Sequence, residues 1–199
     1  IDIVSFLERE TGKVRLDVLN PSWLIFSDGF RRDLLRQVSE RVFDVITAAS
    51  LFALTWPVML LTALAILAED GLRAPILYRQ RRVGLEGREF SVLKFRSMRP
   101  DAERDGQPRW ADAADARVTR VGSIMRKARI DELPQLINVL KGEMGFVGPR
   151  PERPEFVAEL SEQIPYYRER HCVKPGITGW AQLCYPYGSS VHDATEKLQ

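Results

Sequence analysis

Hydrophobic and polar positions change their pattern near residue 69. Before it lies one long apolar run; after it, apolar residues recur with the periods of short strands and amphipathic helices. From Val45 to Ala68 (VITAASLFALTWPVMLLTALAILA) 24 residues pass without a charge. As one straight helix this run is about 36 Å long, enough for a hydrocarbon core of about 30 Å. Pro57 stands near its middle, where it cannot donate to the carbonyl of Ala53 and its ring presses on that turn, which predicts a bend. Both flanks are basic: Arg31, Arg32, Arg36 and Arg41 precede the run and an arginine cluster follows it. Lys and Arg favour the cytoplasmic side. A kinked span is one arrangement, since membrane helices tolerate proline. A re-entrant helix–break–helix that enters and leaves by one face is the other, and it accommodates charge and kink together. Asp44, at the start of the run, is expected at headgroup level, paired with Arg41. In residues 30–43, Leu34, Leu35, Val38 and Val42 oppose Arg31, Arg32, Arg36, Glu40 and Arg41. That pattern predicts an interfacial amphipathic helix, or a surface helix leading into the membrane.

The remaining elements are short. Ile1 to Asp28 reads as a helix, a turn at Asn20-Pro21-Ser22 and a strand Trp23–Phe26. Pro75–Tyr78 and Glu89–Phe95 read as strands around a Gly84–Gly87 turn; the second places Phe90, Val92 and Lys94 on one side and Ser91, Leu93 and Phe95 on the other. Met98 to Ala116 reads as a mobile loop or a broken helix. Arg117 to Arg129 is expected to be helical, with Val118, Val121, Ile124, Met125 and Ala128 on one face. The fold class is therefore α+β, mostly helical: a small domain (70–199), a membrane helix (41–69) read as re-entrant, and a linker with a juxtamembrane segment (1–40).

Composition narrows the function classes. Of 199 residues, 45% are hydrophobic and 28% charged, which excludes wholesale disorder and collagen-like repeats. Cys172 and Cys184 form no CxxC pair, and His171 and His192 lie far apart, so a disulfide framework and a His- or Cys-based metal site are not expected. The chain starts at Ile1 without an initiator methionine and stops at Gln199 in a charged, helix-like stretch, so it is expected to be an internal piece of a longer protein. The net charge of +2 hides an asymmetry: Gly71 to Arg99 holds eight basic residues against two acidic ones. Arginine, the fork-shaped phosphate donor, outnumbers lysine 23 to 6. A basic patch suits nucleic acid, a membrane surface or a phosphorylated substrate. Nucleic acid fits worst: the pI is only about 8.6, no nucleic-acid motif is present, and the apolar run would go unexplained.

The candidate chemistry begins at Ile130. In Ile130–Gly142, Asp131 is placed as an N-cap, Glu132 at the first helical position, Pro134 in the first turn, and Gly142 as the C-terminal stop. Leu133, Leu136, Ile137 and Leu140 give the apolar face. An acidic pair at a helix start can be capping alone. It can also be a site, with one carboxylate as nucleophile and the other as ligand to a divalent ion. Adjacent helical residues point in different directions, so this pair cannot face across a sugar as glycosidase carboxylates do. Arg150, between Pro149 and Pro151, sits on stiff backbone, as an anion clamp or as a solvated arginine on a rigid turn. In Lys174–Leu183, Pro175-Gly176 suggests a type II turn, Gly179 a close backbone approach, and Trp180 a core position ahead of a membrane-interface or base-stacking one.

Taken in order, these stretches resemble the catalytic domain of the bacterial sugar transferases, the monotopic polyprenyl-phosphate phosphoglycosyl transferases, in their long exopolysaccharide form. The resemblance runs from about Arg41 to the end. It rests on Arg82-Val83-Gly84, Leu93–Met98, Asp131-Glu132-Leu133-Pro134-Gln135, Asn138–Gly142, Phe146–Pro151 and Lys174–Gln182. It implies transfer of a sugar-1-phosphate from a UDP-sugar to undecaprenyl phosphate at the cytoplasmic face of the bacterial inner membrane, with Mg²⁺. It implies Asp131 as nucleophile, Glu132 as Mg²⁺ ligand, Arg150 on a phosphate, and Lys94, Arg96 and Arg126 lining or supporting the anionic site. It also implies a re-entrant helix broken at Pro57, although Trp56 stands where a small residue often precedes that proline. Ile1–Asp28 looks like the linker of the longer members, and the family's final helices lie beyond Gln199. The sugar and the oligomeric state, a homo-oligomer included, stay open. The rival from another class is a membrane-anchored module that binds anionic lipid without catalysis.

Overall fold

The computed structural model describes residues 33–71, 74–99, 102, 115–185 and 191–198. The expectations for Ile1–Asp28 and for most of Met98–Ala116 lie outside these residues.

Helix α1 (Leu34–Asp70) is 37 residues long, about 55 Å if straight. Asp33 caps it, its carboxylate accepting from the Leu35 N–H at 3.2 Å. Gly71 stops it with φ 87°, a left-handed value that a side chain would oppose. The juxtamembrane stretch from Leu34 and the apolar run, expected as separate elements, form one helix, with Pro57 inside it. Proline removes a single ladder donor, and strong helix formers on both sides keep the helix going. The helix is long and apolar enough to cross a membrane.

A hairpin follows. β1 (Leu77–Val83) pairs antiparallel with β2 (Glu89–Phe95), in register from Leu77 opposite Phe95 to Val83 opposite Glu89. β2 has its expected bounds. β1 starts later and runs on through Arg79–Val83, because β2 supplies a full row of partners. The connection is a single 3₁₀ turn at Leu85–Gly87.

Helix α2 (Arg120–Lys127) has two caps. The Thr119 hydroxyl accepts from the Gly122 N–H, and the Glu69 carboxylate, from the end of α1, accepts from Arg120 and Val121 at 2.9 and 3.0 Å. The two caps satisfy N–H groups that have no partner within the helix. Met125 is buried, whereas Ile124, expected on the same face, is exposed; it lies about 100° around the helix from Met125.

Then come a second 3₁₀ turn (Ile130–Glu132), α3 (Gln135–Lys141), β3 (Gly145–Val147), α4 (Pro154–Gln163), a third 3₁₀ stretch (Tyr167–Cys172), β4 (Gly176–Thr178), α5 (Trp180–Cys184) and α6 (Val191–Glu196). Gly142 ends α3 with φ 87°, as expected. β3 and β4 pair in parallel, Gly145 with Gly176 and Val147 with Thr178. The pairing explains the glycines. A Cβ on Gly176 would lie 2.1 Å from the Gly148 nitrogen, and one on Gly179 2.3 Å from the Gly148 oxygen. Gly176 thus opens a strand, where a type II turn was expected, and Gly179 makes the expected close approach. Trp180 is not a core residue: it is 76% exposed on the short α5.

Three apolar clusters hold these pieces. Ala48 of α1, Val92 of β2, Leu136 and Val139 of α3, and Met144 form the first. Ile66, Phe95 and Met125 form the second, so the two faces of β2 serve different clusters. Leu160, Ile164 and Tyr167 form the third, with Ala194 and Leu198 against them.

Candidate active site

Asp131 and Glu132 lie in the 3₁₀ turn between α2 and α3. Arg129 precedes the turn with φ 57°, a left-handed conformation uncommon for a residue with a side chain. The α-helix begins only at Gln135, after Pro134, so Asp131 is not its N-cap. Its carboxylate is buried, and Oδ1 has no hydrogen-bond partner. Burial pushes this carboxyl above the usual aspartate range; the Lys94 charge opposes that push and the Glu132 charge adds to it.

Glu132 is surrounded by cations. Its Oε1 lies 3.0 Å from Lys94 Nζ, 3.5 Å from Arg150 Nη2 and 3.8 Å from Arg129 Nη1. Burial alone would raise this carboxyl; Lys94 and Arg150 outweigh it and hold the group below the usual glutamate range. Lys94 is itself buried, which lowers its affinity for a proton, and Glu132 works against that loss.

The register that brings Lys94 to Glu132 is set by Asn138, which is fully buried. Its Oδ1 accepts from the Leu93 N–H at 3.0 Å. Its amide donates to the Ser91 carbonyl at 2.8 Å and to Glu143 at 2.6 Å. One side chain thereby joins α3 to β2 on either side of Val92. The sequence signal was an amide flanked on both sides by apolar residues, Leu136-Ile137 and Val139-Leu140.

The other expected site residues divide. Arg150 reaches both Glu132 and Gln182 Oε1, each at 3.5 Å. Arg126 donates from Nε to the Ser97 hydroxyl at 2.9 Å, and its charge favours the ionised Asp131. Arg96 points elsewhere: it is buried against Asp70, at the end of α1, at 2.7 Å. Pro57 lies in α1 among exposed apolar residues. Arg129, Asn138 and Gln182 join the site although sequence reasoning gave them no role.

Among the described residues no group of three or more His, Cys, Asp or Glu side chains could hold a metal. Two adjacent carboxylates, one with an unpartnered oxygen, fit a hard cation that takes its other ligands from substrate phosphates and water. They do not form a closed protein cage.

A buried carboxylate free of hydrogen bonds at Oδ1, beside a second carboxylate ringed by cations, suits nucleophilic chemistry on an anionic substrate. The site belongs to an α+β domain tied to a helix of membrane-crossing length. By sequence the chain belongs to the bacterial sugar transferase family, whose profile matches residues 35–199. It is 41% identical over 192 residues (96% of this chain, 44% of the relative) to the UDP-N-acetylgalactosamine-undecaprenyl-phosphate N-acetylgalactosaminephosphotransferase of Aeromonas hydrophila. It is 43% identical over 155 residues (78% and 32%) to the UDP-glucose:undecaprenyl-phosphate glucose-1-phosphate transferase of Xanthomonas campestris pv. campestris. A transferase of the latter name from Caulobacter vibrioides is 49% identical over 146 residues (72% and 53%). The chain thus spans from about a third to about half of these relatives.

Proposed function

We propose that this chain is the catalytic part of a polyprenyl-phosphate phosphoglycosyl transferase. It moves a sugar-1-phosphate from a UDP-sugar to undecaprenyl phosphate, the step that starts exopolysaccharide or glycoconjugate synthesis. The observation that carries the reading is the buried, unpartnered Oδ1 of Asp131 beside Glu132, with Lys94, Arg129 and Arg150 converging on Glu132. In the first step an Asp131 carboxylate oxygen bonds to the β-phosphorus of the donor. The bond from that phosphorus to the bridging oxygen breaks, and UMP leaves with the electron pair. In the second step a phosphate oxygen of the acceptor attacks the same phosphorus and the aspartate carboxylate is released. Splitting the transfer this way replaces one difficult step with two easier ones. Arg150 binds a donor phosphate and, with Lys94, stabilises its charge; against the burial that raises the Asp131 carboxyl, Lys94 and, to a lesser degree, Arg126 favour its ionised form. Glu132 would hold Mg²⁺, which when bound neutralises charge developing on the leaving phosphate.

Both lipid substrate and site need the same face of the bacterial inner membrane, and here that is the cytoplasmic face. We infer that α1 is re-entrant. Arg41 donates to the Val139 and Leu140 carbonyls, and Asp44 accepts from the Phe146 N–H, so the start of α1 is tied to the domain and Arg41 and Asp44 serve it separately. The far end is tied through Asp70 to Arg96 and through Glu69 to α2. A straight span would carry one of these ends to the opposite face. With Cys172 and Cys184 replaced by serine, single cysteines at Glu40 and Arg79 are expected to react with an impermeant thiol reagent from the same side of sealed vesicles; labelling from opposite sides would refute the re-entrant reading.

The function is tested by UMP release from a panel of UDP-sugars by the full-length protein. Release from one donor, abolished by Asp131→Asn and by excess EDTA, is the expected result. Release unaffected by Asp131→Asn would remove the nucleophile. Membrane and lipid binding with no release from any donor would favour the non-catalytic lipid-binding module.

A further inference from the structure

The backbone that carries Arg150 is held more tightly than its flanking prolines require. Proline fixes φ at residues 149 and 151, but each peptide plane can still swing about ψ. Here four consecutive carbonyls each meet a donor. The Gly176 N–H donates to Pro149 O at 3.0 Å, and the Val83 N–H to Glu152 O at 2.9 Å. Between them, two arginine side chains supply the donors: Arg170 Nη2 reaches Arg150 O at 2.7 Å, and Arg82 Nη1 reaches Pro151 O at 2.9 Å.

Both arginines are anchored. Arg82 is largely buried, holds Gln80 Oε1 through Nε and Nη2, and pairs with Glu152 at 3.2 Å. Arg170 donates from Nη1 to the hydroxyl of Tyr167, and its guanidinium lies 4.9 Å from the centre of that ring. Tyr167 is buried in the third apolar cluster. The loop is therefore referenced at one point to the hairpin and at another to the α4–α6 cluster.

We propose that Arg170, assisted by Arg82, is a positioning residue for Arg150. By fixing the carbonyl of Arg150, it sets where the guanidinium starts, so that only the side chain's own torsions remain to be ordered around the substrate. A planar fork can serve Arg150 O and the Tyr167 hydroxyl with two different nitrogens at once; a lysine ammonium is a point charge on a flexible stem and reproduces this poorly. Errors of about 1 Å in such a group can lower rates about 100-fold.

This inference rests on the proposed role of Arg150, and a double-mutant cycle tests the two separately. The full-length protein is assayed for UMP release with a donor that it turns over. Arg170→Met is expected to lower kcat/KM about tenfold in the native background and less than about twofold in an Arg150→Lys background, because the residue acts through Arg150. Arg170→Lys should recover part of the loss. Tyr167→Phe, which leaves the ring in the core but removes the hydroxyl anchor, should show a smaller loss with the same dependence on Arg150. Equal losses in both backgrounds would overturn the proposal, since a merely structural arginine would act on either background alike. An Arg150→Lys enzyme of undiminished activity would remove the arginine's role, and the clamp with it.

Discussion

Asp131 occupies a place that penalises its own charge. Burial raises its pKa, and Oδ1 receives no hydrogen bond that would offset the loss of water. A carboxyl whose folded-state pKa is raised destabilises the folded protein above that pKa, and the penalty vanishes below the unfolded value of about 3.9. Asp131→Asn should therefore abolish UMP release while raising the thermal unfolding midpoint near neutral pH. The gain should shrink as pH falls toward the unfolded value. A lower midpoint for the variant at pH 7 would show that the charge is stabilised by something other than the surroundings described here. For the same reason, activity should decline on acidification at a pH above the ordinary aspartate range, and a rate profile down to about pH 4 would locate it. The residues that the structure brings together around Glu132 were legible in the sequence where each stands in a distinctive local stretch, as Asp131-Glu132, Lys94 and Arg150 do. Asn138 and Gln182 were not, since their partners lie far along the chain, and Arg129 was not, because nothing local shows the left-handed backbone from which it reaches Glu132. Trp180 departs from expectation because bulk and apolarity favour burial, and nothing local reveals that α5 has only five residues with which to bury it.

At the scale of elements, strand and helix bounds follow local pattern where partners are adjacent and depart from it where they are remote. β2 and the stop at Gly142 matched their sequence expectations. The start of α3 did not, because Arg129 reverses the chain and a 3₁₀ turn intervenes. The parallel β3–β4 pair has no local signature: each strand has three residues, and the pairing is visible only when Gly148 meets Gly176. An alanine at Gly176 would need backbone to move, since its Cβ would lie 2.1 Å from the Gly148 nitrogen. Gly176→Ala should thus impair both stability and activity, as the loop of Arg150 hangs from the same pair. Asn138 makes the sharper test. Asn138→Leu keeps the volume but leaves the Leu93 N–H and the Ser91 carbonyl without their partner. Each stranded group costs about 1–3 kcal/mol, so a loss of about 2–6 kcal/mol in unfolding free energy is expected from denaturant titration. A loss under about 1 kcal/mol would mean that the α3–β2 join does not depend on this side chain.

At the scale of the whole molecule, the apolar helix, long enough to cross a membrane, is also a structural member of the domain that follows it. Ala48 completes the cluster beneath α3, and Ile66 completes the cluster beneath α2. The sequence showed the length and apolarity of this helix but not its docking, because the contacts join residues about a hundred positions apart, Arg41 with Leu140 among them. Asp70 and Arg96 are the ionic tie at its far end, with Arg96 almost wholly buried and two of its nitrogens without hydrogen-bond partners. Removing only the acid strands a buried guanidinium, an effect of about 3–5 kcal/mol, whereas replacing both partners with apolar groups is often neutral or better. Asp70→Asn should therefore lower the unfolding midpoint of the full-length protein in detergent markedly, and the double change Asp70→Leu with Arg96→Met should restore most of it. The same pair separates two roles for Arg96. A structural tie predicts that the double variant keeps its KM for the UDP-sugar. An arginine that also binds a substrate phosphate predicts that stability returns while KM rises. Because the tie joins α1 to the residue that directly follows β2, the strand bearing Lys94, a loss of activity in Asp70→Asn that the double variant reverses would show that the anchoring of α1 sets the geometry of the site.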